Sequence, residues 1–341
     1  MAMVDQEAAQ SLPWVEKYRP KTLDDLVSQE DIVSTLNKLI DSNRLPHLLF
    51  YGPPGTGKTS TILAATARLF GSKAKAMTLE LNASDDRGIG VVRDQIKEFA
   101  GTKKLFSSGS KLIILDEADA MTNDAQAALR RVIEKYSANT RFCLICNYVN
   151  KITPALQSRC TRFRFSPLSN EQVRGRVGEI IAAENVSVTP DGLNAVLRLG
   201  KGDMRRILNV LQATAVAYPE VNEASVYLCT GNVLPQDADA VTKALVNEAF
   251  SPCVDLLRSM VREKGYAIGD ILTEVADRVM RIEFPPMAMA CLLDELSNLE
   301  YRLATGTNEQ LQLASLVSAF TTARESMGKV LEEQRSQSSK S

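Results

Sequence analysis

The stretch Gly52-Pro-Pro-Gly-Thr-Gly-Lys-Thr59 constrains this chain more than any other. It reads G-x-x-x-x-G-K-T, and its flanks agree with it. An apolar run, Leu48-Leu49-Phe50, precedes it, and a helical pattern from Lys58 to Phe70 follows. A strand, a glycine-rich turn and a helix N-terminus together form a cradle for phosphate. Gly55 and Gly57 let backbone N–H groups turn toward an anion with no Cβ in the way. Gly52, Pro53, Pro54, Thr56 and Ser60 complete the loop. In such a loop Lys58 reaches the β- and γ-phosphates of a nucleoside triphosphate, and the Thr59 hydroxyl ligates Mg²⁺.

Lys111-Leu-Ile-Ile-Leu-Asp-Glu117 supplies the element this loop needs. Four apolar residues make a buried parallel strand, and two adjacent carboxylates stand at its end. Asp116 is suited to hold Mg²⁺ through water, and Glu117 to orient and deprotonate an attacking water. A helix over Asn123–Tyr136 leads to a further strand, Phe142–Cys146, ended by Asn147. An amide there can bond the γ-phosphate or the lytic water, because ligands of such sheets bind at the carboxyl edge. It can equally be a turn residue. Thr161-Arg-Phe-Arg-Phe165 alternates and reads as the last strand. Strands alternating with helices predict a doubly wound parallel sheet.

Composition narrows the class further. Apolar residues make up 45% and charged residues 24%, as in ordinary globular proteins. No apolar run is long enough to span a bilayer, and the first thirty residues show no signal-peptide pattern, so an intracellular protein without a membrane partner is expected. The net charge of −1 points to no partner, but residues 85–165 hold fourteen Lys/Arg against nine Asp/Glu. A locally basic stretch in a neutral chain suits either a polyanion or a solvated helix surface. The single histidine, His47, precedes a strand without an evident partner, and Cys143-x-x-Cys146 falls in a buried-strand pattern with no second ligand pair nearby. His-based catalysis and structural zinc are both disfavoured.

The rest is organisation. Pro13-Trp-Val-Glu-Lys-Tyr-Arg-Pro20 is an aromatic-basic segment fenced by prolines, holding the sole tryptophan. Thr22-Leu-Asp-Asp25 predicts a helix start. Ser169-Asn-Glu-Gln172 and Thr189-Pro-Asp191 predict two more. Gly200-Lys-Gly-Asp-Met-Arg205 opens another helix, with Arg205 in its first turn, where a cation opposes the helix dipole. Residues 231–236 read as a linker, and long amphipathic helices follow to about residue 333. The polar end, 334–341, reads as disordered, and the first dozen residues as frayed.

Several of these segments, in this order, resemble a small subunit of eukaryotic replication factor C, the AAA+ loader of the DNA sliding clamp. The resemblance runs nearly end to end. It rests on Trp14-Val-Glu-Lys-Tyr-Arg-Pro20, the phosphate loop, Leu81-Asn-Ala-Ser-Asp-Asp-Arg-Gly88, Leu115-Asp-Glu-Ala-Asp119, Ser158-Arg-Cys160 and Gly202-Asp-Met-Arg205. Phe142–Tyr148 and Arg162–Phe165 are most similar to the branch numbered three in fungi and five in vertebrates. The resemblance implies an α/β AAA+ domain over 1–166, a small helical lid over 167–231 and an all-α collar from 232. It implies that Val15, Tyr18 and Arg19 border the adenine of ATP. Asn147 and Arg205 would be its two sensors, and Asn82 a switch acting on Glu117. Arg159 would be a finger reaching the neighbouring subunit's site. Arg87, Arg93 and Lys97 would meet primer–template DNA backbone, and Leu105 and Phe106 the sliding clamp (PCNA). The implied partners are the large subunit and three other small subunits, in a nuclear complex. A protein unfoldase would need an aromatic pore loop, which is not found before Lys111. A branch-migration motor would carry a C-terminal winged helix, where this chain predicts long helices.

Overall fold

The alternating apolar strands dictate a sheet covered on both faces. The computed structural model describes residues 12–27, 29–83, 88–101 and 110–338, and the chain divides into two compact units, residues 1–222 and 223–341. The first unit begins with a short helix, α1 (Trp14–Lys17), and a longer one, α2 (Glu30–Asp41). A five-stranded parallel sheet follows: β1 (Leu48–Tyr51), β2 (Thr78–Asn82), β3 (Lys111–Asp116), β4 (Thr140–Cys146) and β5 (Thr161–Arg164). Its order is β2-β3-β4-β1-β5. The crossovers carry α3 (Lys58–Phe70), α4 (Ala74–Met77), α5 (Gly88–Gly101), α6 (Asn123–Tyr136) and α7 (Pro154–Gln157).

Side chains alternate across the sheet, as strand geometry requires. Leu48, Phe50, Leu112, Ile114, Cys143 and Ile145 pack on one face with Leu36, Ile62 and Phe165. Leu49, Ile113, Leu115, Phe142 and Leu144 pack on the other with Ile96, Leu129 and Ile133. The central strands are therefore apolar on both sides. Each fully buried side chain of this size stabilises the fold by about 1.5–3 kcal/mol relative to leaving it exposed.

The register then fixes the carboxyl edge. Tyr51 pairs with Cys146 and Asn82 with Asp116. The loop after β1 therefore starts beside Asn147, and the end of β3 sits beside Asn82. Nothing local to any one of these residues ensures that; it follows from parallel pairing of four strands.

Three helices complete the unit: α8 (Asn170–Glu184), α9 (Pro190–Gly200) and α10 (Met204–Ala217). Ser169 and Gln172 form the reciprocal capping box that their spacing predicts. Thr189 caps α9, accepting from Gly192 N at 3.1 Å. The second unit comprises α11 (Glu223–Thr230), α12 (Pro235–Asn247), α13 (Phe250–Lys264), α14 (Ile268–Val279), α15 (Pro286–Ala304) and α16 (Glu309–Ser338). Its core includes Val241, Leu257, Ile271, Val275, Leu292 and Phe320. No helix among the described residues is long and apolar enough to cross a membrane.

Two local expectations are corrected. Residues 22–25 do not start a helix: Asp25 accepts from the backbone N–H of Thr22 at 2.9 Å and of Lys21 at 3.2 Å, closing a turn. The helix begins at Glu30, after Gln29 in a left-handed conformation. At the other end, α16 runs to Ser338 rather than giving way at residue 334. Glu, Gln and Arg are good helix formers despite their polarity.

Candidate functional site

The phosphate loop leaves β1 through three glycines with positive φ: 145° at Gly52, 65° at Gly55 and 92° at Gly57. A Cβ at Gly52 would collide with the Phe165 carbonyl, and one at Gly55 with the Asp203 carboxylate. The loop thus closes in a shape that side chains at these positions would exclude. Gly55→Ala is expected to destabilise the chain by about 1–3 kcal/mol, combining left-handed strain with the clash. Chemical denaturation checks this; an unchanged midpoint would count against it.

Lys58 is 7% exposed. Its ammonium donates to Gly52 O and Pro53 O, both at 2.7 Å, and to Asn147 Oδ1 at 2.9 Å. Burial holds its pKa below the usual lysine value, with Asp116 pulling the other way. A buried cation that faces neutral acceptors has room for a strong anion. Thr59 Oγ1 donates to Asp116 Oδ2 at 2.8 Å. Asp116 Oδ1 accepts the backbone N–H of Glu117, also at 2.8 Å. A hydroxyl and a carboxylate in contact are hard oxygen donors, and they fit Mg²⁺.

Glu117 takes a left-handed backbone, φ 53° and ψ 36°. That turns its exposed side chain out of line with β3 while Asp116 stays pinned. Sequence reasoning assigned no role to Asp119. Its Oδ2 accepts the N–H groups of Asn147 at 3.1 Å and Tyr148 at 3.0 Å. The loop carrying Asn147 is therefore fixed to the end of β3, and Asn147 in turn bonds Lys58.

Asp203 is a second omission, and its helix-capping signal was present in the sequence. Its Oδ1 accepts from Arg205 N at 2.9 Å and Arg206 N at 3.2 Å. A carboxylate at this end offsets the cation expected to oppose the dipole there. Met204 N also donates to Gly55 O at 3.2 Å. The start of α10 consequently sits on the phosphate loop, and Arg205 faces the same space as Lys58.

One cavity gathers these groups. Val15, Tyr18 and Arg19 line it with Pro54 through Ser60, Asp116, Glu117, Asn147 and Arg205. Gly52 and Pro53 support it from behind through Lys58. Asn82 lies next to it across the β2–β3 register without lining it. Arg159 is not among its lining residues. It follows α7, donates to Ala155 O at 2.6 Å and pairs with Glu134 on α6. Lys97 is half-exposed and pairs with Asp94 at 3.3 Å. Arg87, Leu105 and Phe106 lie outside the described residues, as does the side chain of Arg93.

The dismissed residues also find their places. His47 Nδ1 accepts the N–H of Phe142 at 3.2 Å. Cys143 and Cys146 are buried in β4, and burial pushes the Cys146 thiol up to about 12. No cluster of His, Cys, Asp and Glu suited to a metal is found among the described residues.

This sheet order, phosphate loop, paired carboxylates and capping helices define an AAA+ ATPase. Residues 48–168 match the family model of the ATPase family associated with various cellular activities. Residues 233–319 match that of the replication factor C C-terminal domain. The chain is 54% identical over 318 residues to replication factor C subunit 5 of Mus musculus, covering 93% of this chain and 94% of that one. It is 51% identical over 320 residues to replication factor C subunit 3 of Schizosaccharomyces pombe, covering 94% of each. The chain belongs to the replication factor C small-subunit family, in the branch numbered three or five, and is an ATPase of the clamp-loader type. The RuvB Holliday junction branch migration motor of Thermotoga maritima shares its fold, with a TM-score of 0.52 at 14% identity over 79% of this chain and 99% of that one.

Proposed function

We propose that this chain binds Mg²⁺·ATP in the cavity and hydrolyses it to drive a clamp loader that opens the sliding clamp on primer–template DNA. The observation that carries the reading is the convergence of Lys58, Thr59, Asp116, Glu117, Asn147 and Arg205 on one space. Val15, Tyr18 and Arg19 form the wall for the base. Lys58 and the loop N–H groups hold the phosphates, and Thr59 and Asp116 would hold Mg²⁺, which would supply neutralisation of the charge that develops in phosphoryl transfer. Glu117 takes the proton of the attacking water. Asn147 orients that water or the γ-phosphate, and Arg205 senses the phosphates from the lid. Asn82 adjoins the end of β3 and is suited to hold Glu117 back until DNA binds.

Arg159 does not line this cavity, which suits a finger for a neighbour's site. Its partners are then the other subunits of a pentamer, with residues 232–341 as the collar. Arg87, Arg93 and Lys97 are proposed to meet DNA phosphates, giving salt-sensitive, sequence-tolerant binding. Leu105 and Phe106 are proposed to meet the clamp. A nuclear location accords with this role.

The test is ATP binding by the full-length chain. Lys58→Met keeps the aliphatic volume and removes the charge. It is expected to weaken ATP binding by about 10²-fold, the value of a desolvated charge-assisted contact, with little change in thermal stability. Unchanged affinity would refute the assignment.

A further inference from the structure

We propose that Glu184, on the lid, is a positioning residue for adenine recognition, holding the base-binding segment in place without touching the nucleotide. The inference rests on the reading of the cavity as an ATP site. The segment Trp14–Arg19 contributes Val15, Tyr18 and Arg19 to the cavity wall. Its own short helix, α1, is a single turn and cannot hold itself in water. It is fastened by residues far away in the chain. Trp14 N donates to Gln212 Oε1 on α10 at 3.0 Å. Lys17 Nζ donates to Glu184 Oε1 at 2.6 Å, and Tyr18 Oη donates to the same oxygen at 2.5 Å.

Glu184 is the last residue of α8 and is absent from the cavity lining. Its side chain is 18% exposed and that of Lys17 29%, so the pair is better shielded than a surface bridge. Burial raises the Glu184 pKa, but the hydrogen bonds from Lys17 and Tyr18 outweigh it and leave the carboxyl below its usual range. The acid is therefore ionised and accepts from both donors at neutral pH. Two of the three tethers end on Glu184, and one of its donors, Tyr18, is itself a wall residue. The phosphate half of the cavity, by contrast, is built on the sheet edge and the start of α10. The helix α10 serves both subsites, through Gln212 for the base segment and through its first turn for the phosphate loop, whereas Glu184 serves the base segment alone.

That difference gives the test. ATP touches both subsites, whereas inorganic tripolyphosphate reaches the phosphate loop alone. Binding of each to the full-length chain is measured for wild type, Glu184→Ala and Glu184→Gln. Glu184→Ala is expected to weaken ATP by about tenfold, as for a lost charge-assisted hydrogen-bond pair, and to leave tripolyphosphate unchanged. Glu184→Gln retains size and an acceptor and is expected to fall between. Equal weakening of both ligands would overturn the proposal in favour of a general stabilising clip, and so would unchanged ATP affinity in both variants. If instead wild type bound ATP no better than tripolyphosphate, and Lys58→Met altered neither, the cavity reading itself would fall and this proposal with it.

Discussion

Arg159→Ala is expected to leave ATP binding at this chain's own site intact and to slow hydrolysis at the neighbouring subunit's site by about 10³-fold or more, the usual worth of an arginine finger. Arg159 follows α7 and does not line the cavity its own chain forms. Its described partners are the Ala155 carbonyl and Glu134. Neither is part of a phosphate site, and a surface pair of this kind contributes little to stability. The side chain is held ready in one orientation at small cost. Removal frees Glu134 to water, where Arg130 remains 3.3 Å away. Folding should therefore survive, and the loss should be confined to catalysis. Nucleotide titration and single-turnover hydrolysis of the assembled complex separate the two effects. A drop in ATP affinity at this chain's own site would count against a role in trans.

Glu117→Gln should do the reverse: bind ATP at this site normally and hydrolyse it about 10²–10⁴-fold more slowly, the range for loss of a general base. Gln keeps the size of Glu and needs the same left-handed backbone, so the substitution adds no strain. The bond from residue 117 N–H to Asp116 Oδ1 is a main-chain contact and is retained. Asp116 therefore keeps its hold on Thr59. What is lost is the proton acceptor. A left-handed non-glycine residue costs on the order of 1–3 kcal/mol and persists where a site needs it. Here it breaks the alternation by which a regular strand would send two adjacent carboxylates to opposite faces, and both line one cavity. Rapid-quench hydrolysis with radiolabelled ATP checks the rate, and equilibrium binding checks the affinity. Unchanged turnover at this site would exclude Glu117 as the base.

How much of this was legible in the sequence depended on distance along the chain. Gly52–Thr59 and Leu112–Glu117 announced themselves because strand, turn and helix signals lie side by side. The caps at Ser169 and Thr189 were equally local. Thr22–Asp25 misled because a short acidic turn and a helix N-terminus use the same residues, and Asp25 bonds backward to Lys21 and Thr22. The polar end of α16 misled because composition says little about continuation of an established helix. Asp119 and Glu184 escaped for another reason. Their partners, the Asn147 loop and the Lys17–Tyr18 segment, lie 28 and 167 residues away. No spacing rule connects positions that meet only after the sheet has closed and α8 has packed. The family branch was legible through resemblance alone, since the C-terminal helices carry no chemistry of their own.

On the proposed function, this chain is half of two active sites, one through Glu117 and another through Arg159. The most direct measurement is the burst amplitude of ATP hydrolysis by the assembled complex with clamp and primed DNA. Four complexes are needed: wild type, Glu117→Gln, Arg159→Ala, and both substitutions in this one chain. Independent sites add, whereas residues of one site do not. Each single substitution is expected to remove one site's amplitude, and the double to remove two. A double variant that loses no more than either single would place both residues in one site and contradict that reading.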